Sequence, residues 1–300
     1  MDNSLRRGSL EMIAAMLISG TIGWFVLVSG QPVLEVVFWR CVFGAVTLLC
    51  ICAGMGFLRP GVLTRATFLL AVASGVAIVG NWVLLFASYS RASIAIGTAV
   101  YNVQPFMLVG LAALFLGEKI TLAKLTWLSV AFLGMLAIVG AHGAGQAGAG
   151  DYLQGIALAL GAAFLYAVAA LIIKRLTGTP PHVIALIQVS TGVLLLAPWV
   201  KLGGLPAEPQ ALGSLVTLGI VHTGLMYVLL YSAIQRLPTA VTGALSFIYP
   251  IAAILVDWVA FGHRLAALQW LGVGLILLAA AGMQQGWWFR PAAKPARHRA

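Results

Sequence analysis

Long apolar runs, separated by short polar or Gly/Pro-containing breaks, repeat along the whole chain. A helix that crosses a bilayer needs about 20 apolar residues, so each run predicts one membrane-spanning helix. Ten candidate spans follow in order: 11–30, 33–53, 66–89, 93–115, 121–141, 152–173, 182–200, 211–235, 238–261 and 265–288. The predicted fold class is therefore an all-α integral membrane protein. The first span is expected to remain in the mature protein, because it is too long for a signal peptide and lacks a small-residue cleavage site.

Composition supports the membrane assignment. Hydrophobic residues make up 62% of the chain, charged residues 8%, and the mean hydropathy is +1.04. Soluble domains carry about 25% charged residues, so a cytosolic enzyme, a secreted disulfide scaffold and a disordered protein are excluded. Cys41, Cys50 and Cys52 share one apolar segment without a His/Cys cluster, which indicates reduced packing residues and no metal site. The sequence suggests no cofactor.

The basic residues predict how the chain is oriented. The net charge is +10, but the cations lie in the breaks between spans, which is a membrane-orientation signal and not a nucleic-acid signal. Of the 17 Lys and Arg residues, Arg91, Lys201 and Arg264 fall outside and Arg40 lies within a span, which leaves 13 inside. Both termini are therefore expected in the cytoplasm, with a basic tail at 289–300.

The two halves of the chain are related by a repeat. Three landmark pairs lie 145 residues apart: Arg91/Arg236, Pro105/Pro250 and Gly117/Gly262. The halves are predicted at 1–141 and 152–288, joined by a Gly/Ala-rich linker at 142–151. Because each half has five spans, an odd number, the second half must insert upside down. Inverted repeats are typical of secondary transporters, with a substrate site near the bilayer midplane.

The end of the fourth span carries a family motif. Leu116-Gly117-Glu118-Lys119 closes this span, and with the central prolines and the two five-span halves it resembles the EamA-domain group of the drug/metabolite transporter superfamily. The second half keeps Gly262 but has lost the acid. The resemblance implies export of small metabolites, commonly amino acids, across a bacterial inner membrane. Aromatic-amino-acid exporters are similar in length and in central aromatic content.

The two central prolines predict paired kinks. Pro105 and Pro250 lie about 12 residues into their spans, roughly 18 Å at 1.5 Å per residue, which is close to mid-bilayer. Proline removes a backbone donor and frees a carbonyl one turn earlier, and freed carbonyls at this depth need a protein partner or a watery cavity. Both residues are expected to act as hinges, although prolines in membrane helices also simply shape packing.

Polar and aromatic residues gather at the same depth and predict a solute cavity. The candidate substrate-binding residues are Trp24, Asn81, Trp82, Tyr101, Asn102, Gln104, Tyr166, His222, Tyr227, Phe247 and Tyr249. Amides facing lipid would lack partners, so they are expected to face the interior. Aromatic walls with a few amides suit a solute with an apolar body and a polar head. Packing is the alternative for each ring, and Tyr89, Trp287 and Trp288 are expected to be interface anchors.

Two ionisable features bear on mechanism. Arg40 would be costly alone in a span, so Glu35 or Asp257 is expected to compensate it, as a structural ion pair or an outer gate. His222 is the titratable candidate at mid-depth, and a neutral, hydrogen-bonded core histidine is the more ordinary interpretation. The favoured mechanism is alternating access with weak or no proton coupling. A proton-coupled antiporter using His222 is the alternative.

Three classes of function remain open. The first is a monomeric carrier whose partners are a small solute and the lipid bilayer. The second is a membrane-embedded enzyme on lipid-linked substrates, which would need acids, a nucleophile or metal ligands converging at one depth. The third is a channel, which would show a filter or a charged ring. The scattered acids favour the carrier.

Overall fold

The structure is a computed structural model that describes residues 3–59, 61–92, 97, 100–140, 149–200, 204–249, 251–252, 255–256, 267–285 and 287. Within these ranges all regular structure is helical. The helices are α1 Asn3–Ser19, α2 Ile22–Ser29, α3 Val33–Gly54, α4 Arg65–Ala92, α5 Gln104–Leu116, α6 Leu122–Gly140, α7 Ala149–Arg175, α8 Pro181–Leu196, α9 Pro209–Gly219, α10 Met226–Arg236, α11 Thr239–Ser246 and α12 Ala267–Gln285. Pro250, Asp257, the predicted linker up to residue 148 and the tail 289–300 lie outside the described residues.

Six described stretches are long and apolar enough to cross a membrane. They are Asn3–Ser29, Val33–Gly54, Arg65–Tyr89, Leu153–Arg175, Pro181–Trp199 and Pro209–Arg236. Shorter apolar helices cover Gln104–Leu116, Leu122–Ala137 and Trp270–Met283. The last residues of the predicted linker, 149–151, belong to α7.

Several predicted spans are interrupted where continuous helices were expected. The first breaks at Gly20–Thr21, where the Thr21 hydroxyl donates to the Ile18 carbonyl at 2.8 Å. The eighth contains a π-helical segment, Ile220–Leu225, between α9 and α10. The fourth turns at Asn102–Val103 before α5 begins at Gln104. Pro105 therefore lies in the first turn of a new helix, where its missing N–H costs nothing, and the predicted kink is a full interruption.

Contacts between the two halves come in matched pairs. Helix α4 packs along α7, and the corresponding contact joins α1 and α2 to the α9–α10 stretch. Helix α4 also packs on α8, which matches the packing of α9 on α3. Three further contacts join corresponding helices directly: α3 with α8, α5 with α11, and α6 with α12. This pattern is what two superimposable halves produce when they interlock.

Glycines allow two of these contacts to be very close. A Cβ added at Gly219 would lie 2.2 Å from the Phe43 Cβ, and one at Gly44 would lie 2.7 Å from the Thr223 Cγ2. Gly192 approaches Cys41 Sγ in the same way, at 2.6 Å. Side chains at these glycines would separate the backbones, so α3 is held tightly between α8 and the π segment.

Candidate functional site

A cavity of about 80 Å³ lies between the two halves of the bundle. Side chains from α1, α2, α3, α4, α5, α7, α10 and α11 contribute to its wall. The lining residues are Met16, Ser19, Ile22, Gly23, Arg40, Asn81, Trp82, Leu85, Phe86, Tyr89, Tyr101, Gln104, Tyr166, Met226, Tyr227, Leu230, Ser246 and Tyr249. The wall is mainly aromatic and apolar, with a few directed polar groups, which is the usual composition of a small-molecule site.

Two matching helix interruptions deliver side chains to this cavity. Helix α11 ends at Ser246 and Phe247 lies in a turn, which is the repeat position of Asn102, 145 residues away. Tyr101 and Gln104 flank the first interruption; Ser246 and Tyr249 occupy the same positions at the second, and all four line the cavity. The repeat therefore supplies one break and two lining residues from each half.

Arg40, Trp82 and Tyr227 form a connected cluster in the cavity wall. The guanidinium carbon of Arg40 lies 4.1 Å from the centroid of the Trp82 ring. The Trp82 indole N–H donates to the Tyr227 hydroxyl at 2.7 Å, and the two rings meet edge to face at 5.4 Å. Trp82 and Tyr227 lie 145 residues apart, so two positions that the sequence repeat relates contact each other in the cavity wall.

Two amides behave differently in the wall. Asn81 donates to the Ala162 carbonyl at 2.8 Å and to the Tyr101 hydroxyl at 3.3 Å, which fixes its orientation. Tyr101 in turn meets Tyr166 edge to face at 6.2 Å. Gln104 Oε1 is buried and has no hydrogen-bond partner in the part of the chain that the structure describes. An unpaired buried acceptor costs free energy, so Gln104 is a candidate for contact with a solute donor.

The predicted carboxylate partner of Arg40 is not Glu35. Arg40 is 1% exposed, and its described partners are the Thr223 hydroxyl at 3.1 Å and the His222 carbonyl at 3.4 Å. Arg40 and Glu35 do not form an ion pair. The other expected partner, Asp257, lies outside the described residues, so that part of the expectation stays a prediction. Arg40 itself lines the cavity.

His222 lies outside the cavity wall, although Met226 lines it. A spacing of four places two residues on one face of an α-helix, but the wider turns of the π segment rotate His222 away. Its Nε2 lies 2.5 Å from the Thr21 hydroxyl and its Nδ1 lies 3.2 Å from the Thr217 carbonyl. His222 thus connects the π segment with the break between α1 and α2.

Other candidates fall beside the cavity. Trp24 packs edge-on against Phe25 at 4.7 Å, and Asn102 and Phe247 are fully buried at the two interruptions; none of the three is a lining residue. Tyr89, expected as an interface anchor, lines the cavity instead. Nothing in their apolar helices marked Met16, Ser19 or Phe86 as lining residues. The repeat offset could have indicated Ser246, the partner of Tyr101.

A second polar site joins the halves at one end of the bundle. This terminal polar cluster consists of Glu11, Glu118, Lys174, Ser232, Arg236 and Thr239. Glu11 accepts from Arg236 at 3.0 Å and from Ser232 at 2.6 Å, and Arg236 also donates to Ser232. Glu11, from the first half, thus has two partners from the second half.

The Leu-Gly-Glu motif supplies the other acid of this cluster. Gly117 ends α5 with φ of 67°, a left-handed conformation that glycine adopts without strain. The turn directs Glu118 toward Thr239, which donates at 2.5 Å, and toward Lys174 Nζ at 3.5 Å. Lys174 also donates to the Leu237 carbonyl at 2.6 Å. The motif therefore links the end of α5 to α7 and α11.

Buried apolar residues lie between the terminal polar cluster and the cavity along α1. Met12 and Ala15 come between Glu11 of the cluster and Met16 of the cavity wall, and both are 0% exposed. Helices α1 and α10 pack on each other. Among the described residues, no group of three or more His, Cys, Asp or Glu side chains is placed to hold a metal ion.

Comparisons with known proteins agree with this architecture. The EamA-like transporter family matches residues 6–140 and 153–284, one match in each half. An uncharacterized transporter of Bacillus subtilis, YxxF, is 30% identical over 91% of this chain and 87% of its own length. Protein RarD of Escherichia coli is 24% identical over 92% and 93%, and a riboflavin transporter of Vibrio cholerae is 27% identical over 70% and 68%.

A solved crystal structure superimposes with a TM-score of 0.78 over 93% of this chain and 98% of the other, at 18% identity. This likeness concerns the fold alone. The two family matches and the relative at 30% identity establish the relationship. The chain therefore belongs to the EamA-like transporter family of the drug/metabolite transporter superfamily, and it is a membrane transporter of small solutes, not an enzyme.

Proposed function

We propose that this protein is a secondary transporter that exports small amphipathic metabolites, above all amino acids with aromatic or other hydrophobic side chains. The observation that carries the proposal is the cavity between two matching helix interruptions, each supplying two lining residues. Broken helices at corresponding positions of two repeats are typical of transporter binding sites. Aromatic walls with a few polar groups suit a solute with an apolar body and a polar head.

The proposed topology has ten membrane spans in two inverted five-helix repeats. The matched contacts between the halves support two equivalent units, and the Lys/Arg distribution supports cytoplasmic termini. The repeats cover 1–141 and 152–288, and the basic tail 289–300 lies in the cytoplasm. We assign the protein, as a monomer, to the inner membrane of a bacterium.

Alternating access would operate through the two ends of the bundle. In the proposed topology the terminal polar cluster lies at the cytoplasmic end, where it would close the path to the cavity together with the buried residues Met12 and Ala15. Opening this end requires the halves to separate at Glu11–Arg236 and Glu118–Lys174. Pro105 and Pro250 would serve as the hinges, and Pro105→Ala should lower flux because it favours a continuous helix through Asn102.

Transport without proton coupling is the favoured mechanism. No Asp or Glu of the described residues lines the cavity, and His222 has partners outside the wall. The second candidate is a proton-coupled antiporter, favoured by one observation: His222 joins the α1–α2 break to the π segment, so its protonation would act on both. Thr21 has one hydroxyl proton for two acceptors, His222 Nε2 and the Ile18 carbonyl, so a charge on the ring would change which one receives it.

Counterflow in proteoliposomes tests the proposal. Vesicles loaded with unlabelled phenylalanine should accumulate external radiolabelled phenylalanine transiently and saturably, and Pro105→Ala should slow this while the protein still inserts. Linear, non-saturating flux would contradict a carrier. Uphill transport driven by a pH gradient and abolished by His222→Gln would replace the uncoupled mechanism with the antiporter.

A further inference from the structure

Arg40 is a buried cation with unused hydrogen-bonding capacity inside the cavity. A guanidinium has five N–H donors; two of those on Arg40 have acceptors among the described residues, Thr223 and the His222 carbonyl. Arg40 is only 1% exposed and lines the cavity. Three donors on a desolvated positive charge are therefore left without a protein acceptor in the described chain.

The surroundings of Arg40 provide a second donor and hold the guanidinium in place. The Thr223 hydroxyl gives its own proton to the Leu218 carbonyl at 2.8 Å and so accepts from Arg40 Nε. Trp82 covers one face of the guanidinium. The Tyr227 oxygen accepts from Trp82 and has no described acceptor for its own proton, so a second donor lies close to the cation.

The acids of the described chain do not neutralise this site. Glu11 and Glu118 are bound by Arg7, Arg236 and Lys174 in or beside the terminal polar cluster. None of the described acids lines the cavity. A buried charge without a partner is strongly unfavourable, and a carboxylate forms two parallel hydrogen bonds with a guanidinium. An anionic group on the solute would supply the acidic partner that the described residues do not provide.

We infer that Arg40 binds the carboxylate of the transported solute, and that the carboxylate, not an amine, is the required polar group. The inference rests on the proposed function and narrows the solute class to small carboxylic acids with an apolar or aromatic body. That body would lie against rings such as Phe86, Tyr101 and Tyr166. An amino acid can pair with Arg40 through its carboxylate. An amine that has no carboxylate would leave Arg40 unpaired and place a second positive charge beside it.

A purely structural role for Arg40 makes a different prediction. Arg40 also ties α3 to the π segment, so its replacement could weaken every ligand by loosening the cavity. Matched acid and amide ligands separate the two roles, because only the acid can pair with the guanidinium. Suitable pairs are 3-phenylpropionate with 3-phenylpropionamide, and 4-methylpentanoate with 4-methylpentanamide.

The test measures binding by titration calorimetry on the full chain in lipid nanodiscs. The wild-type protein should bind each acid at least about tenfold more tightly than its amide, and phenethylamine should bind no better than the amides. Arg40→Gln should abolish the preference for the acid while leaving amide binding within about twofold, and Arg40→Lys should retain part of it. Arg65→Gln, which removes an exposed cation at the start of α4, is the charge control.

Three results would overturn the inference. The first is equal affinity of acids and amides for the wild-type protein, and the second is phenethylamine as the tightest ligand. The third is no detectable binding of the acids at 10 mM, which would mean a binding free energy weaker than about 3 kcal/mol. The ligand comparison on the unaltered chain stands even where Arg40→Gln fails to fold. Counterflow distinguishes failure of this inference from failure of the proposed function. Acid-selective binding without flux would refute transport alone. Flux in which amides compete as well as acids would refute the role of Arg40 alone.

Discussion

The two charged regions of this protein are built in opposite ways. In the terminal polar cluster each acid has a basic partner: Glu11 pairs with Arg236 and Glu118 with Lys174, and these groups retain some contact with solvent. In the cavity Arg40 is fully buried and no described acid approaches it. The charges of the terminal polar cluster thus balance each other, whereas no acid of the described residues balances the charge of Arg40.

The difference also separates binding from closure. Partly exposed ion pairs are worth little each, about 0–1 kcal/mol, so in the proposed alternating-access mechanism the end that they hold would open at little cost. A buried guanidinium interacts in a low dielectric, where a ligand charge has a larger effect. Large effects of substitution are therefore expected around Arg40, and small, graded effects at the terminal polar cluster.

The largest effect should come from breaking the close contact that positions the partners of Arg40. Gly219→Ala places a methyl group 2.2 Å from the Phe43 Cβ, so α3 must move away from Thr223. Overpacking of this kind costs about 1–3 kcal/mol, and thermal unfolding of the purified protein should show it. Gly213→Ala on the same helix meets nothing within 4 Å and is the control. Equal stability of the two variants would mean that the contact is not tight.

A smaller effect is expected from Tyr227→Phe in the cavity wall. The change leaves the buried Trp82 N–H without its acceptor and removes the donor beside Arg40, at a cost of about 1–2 kcal/mol. Affinity for 3-phenylpropionate should fall roughly five- to thirtyfold, measured by calorimetry. Tyr231→Phe is the matched control, because Tyr231 donates to Gln188 away from the lining. Equal losses in the two variants would remove Tyr227 from the binding site.

The cavity residues agree with the sequence prediction more closely than the helices around them do. Of the residues predicted to line a cavity, seven do so: Asn81, Trp82, Tyr101, Gln104, Tyr166, Tyr227 and Tyr249. The apolar runs and the 145-residue offset that predicted them can be read along the chain without knowledge of its three-dimensional contacts.

What the sequence could not provide depends on backbone details and on three-dimensional partners. The π segment turns His222 away from Met226, and no residue type marks such a segment in advance. The cost of a lone buried cation predicts an acidic partner for Arg40, but the sequence does not indicate its described hydroxyl, carbonyl and ring partners, which lie 42 to 183 positions away in the chain. Tyr89 lies near a span end, which suggests an interface residue, yet its side chain reaches the cavity.

Among the paired charges, Glu11→Gln should have the larger effect. Glu11 binds Arg7, Ser232 and Arg236, so the change weakens several contacts across the halves, together by about 0.5–1.5 kcal/mol. The measurement is maleimide labelling of a cysteine at position 12, with Cys41, Cys50 and Cys52 replaced. Labelling from the side that the proposed topology makes cytoplasmic should become roughly two- to tenfold faster. Glu208→Gln, at an exposed acid before α9, is the control. Unchanged labelling would mean that Glu11 does not hold this end closed.

Glu118→Gln should have the smallest effect, despite lying in the family motif. Lys174 keeps its bond to the Leu237 carbonyl at 2.6 Å, and a glutamine oxygen can still accept from Thr239. The loss is therefore limited to one partly exposed ion pair, about 0.5 kcal/mol, or roughly a twofold increase in the same labelling rate. Glu118→Leu removes the Thr239 acceptor as well and should exceed it. If Glu118→Gln instead opened this end more than Glu11→Gln, the charge on Glu118 would be the principal contact holding the halves together.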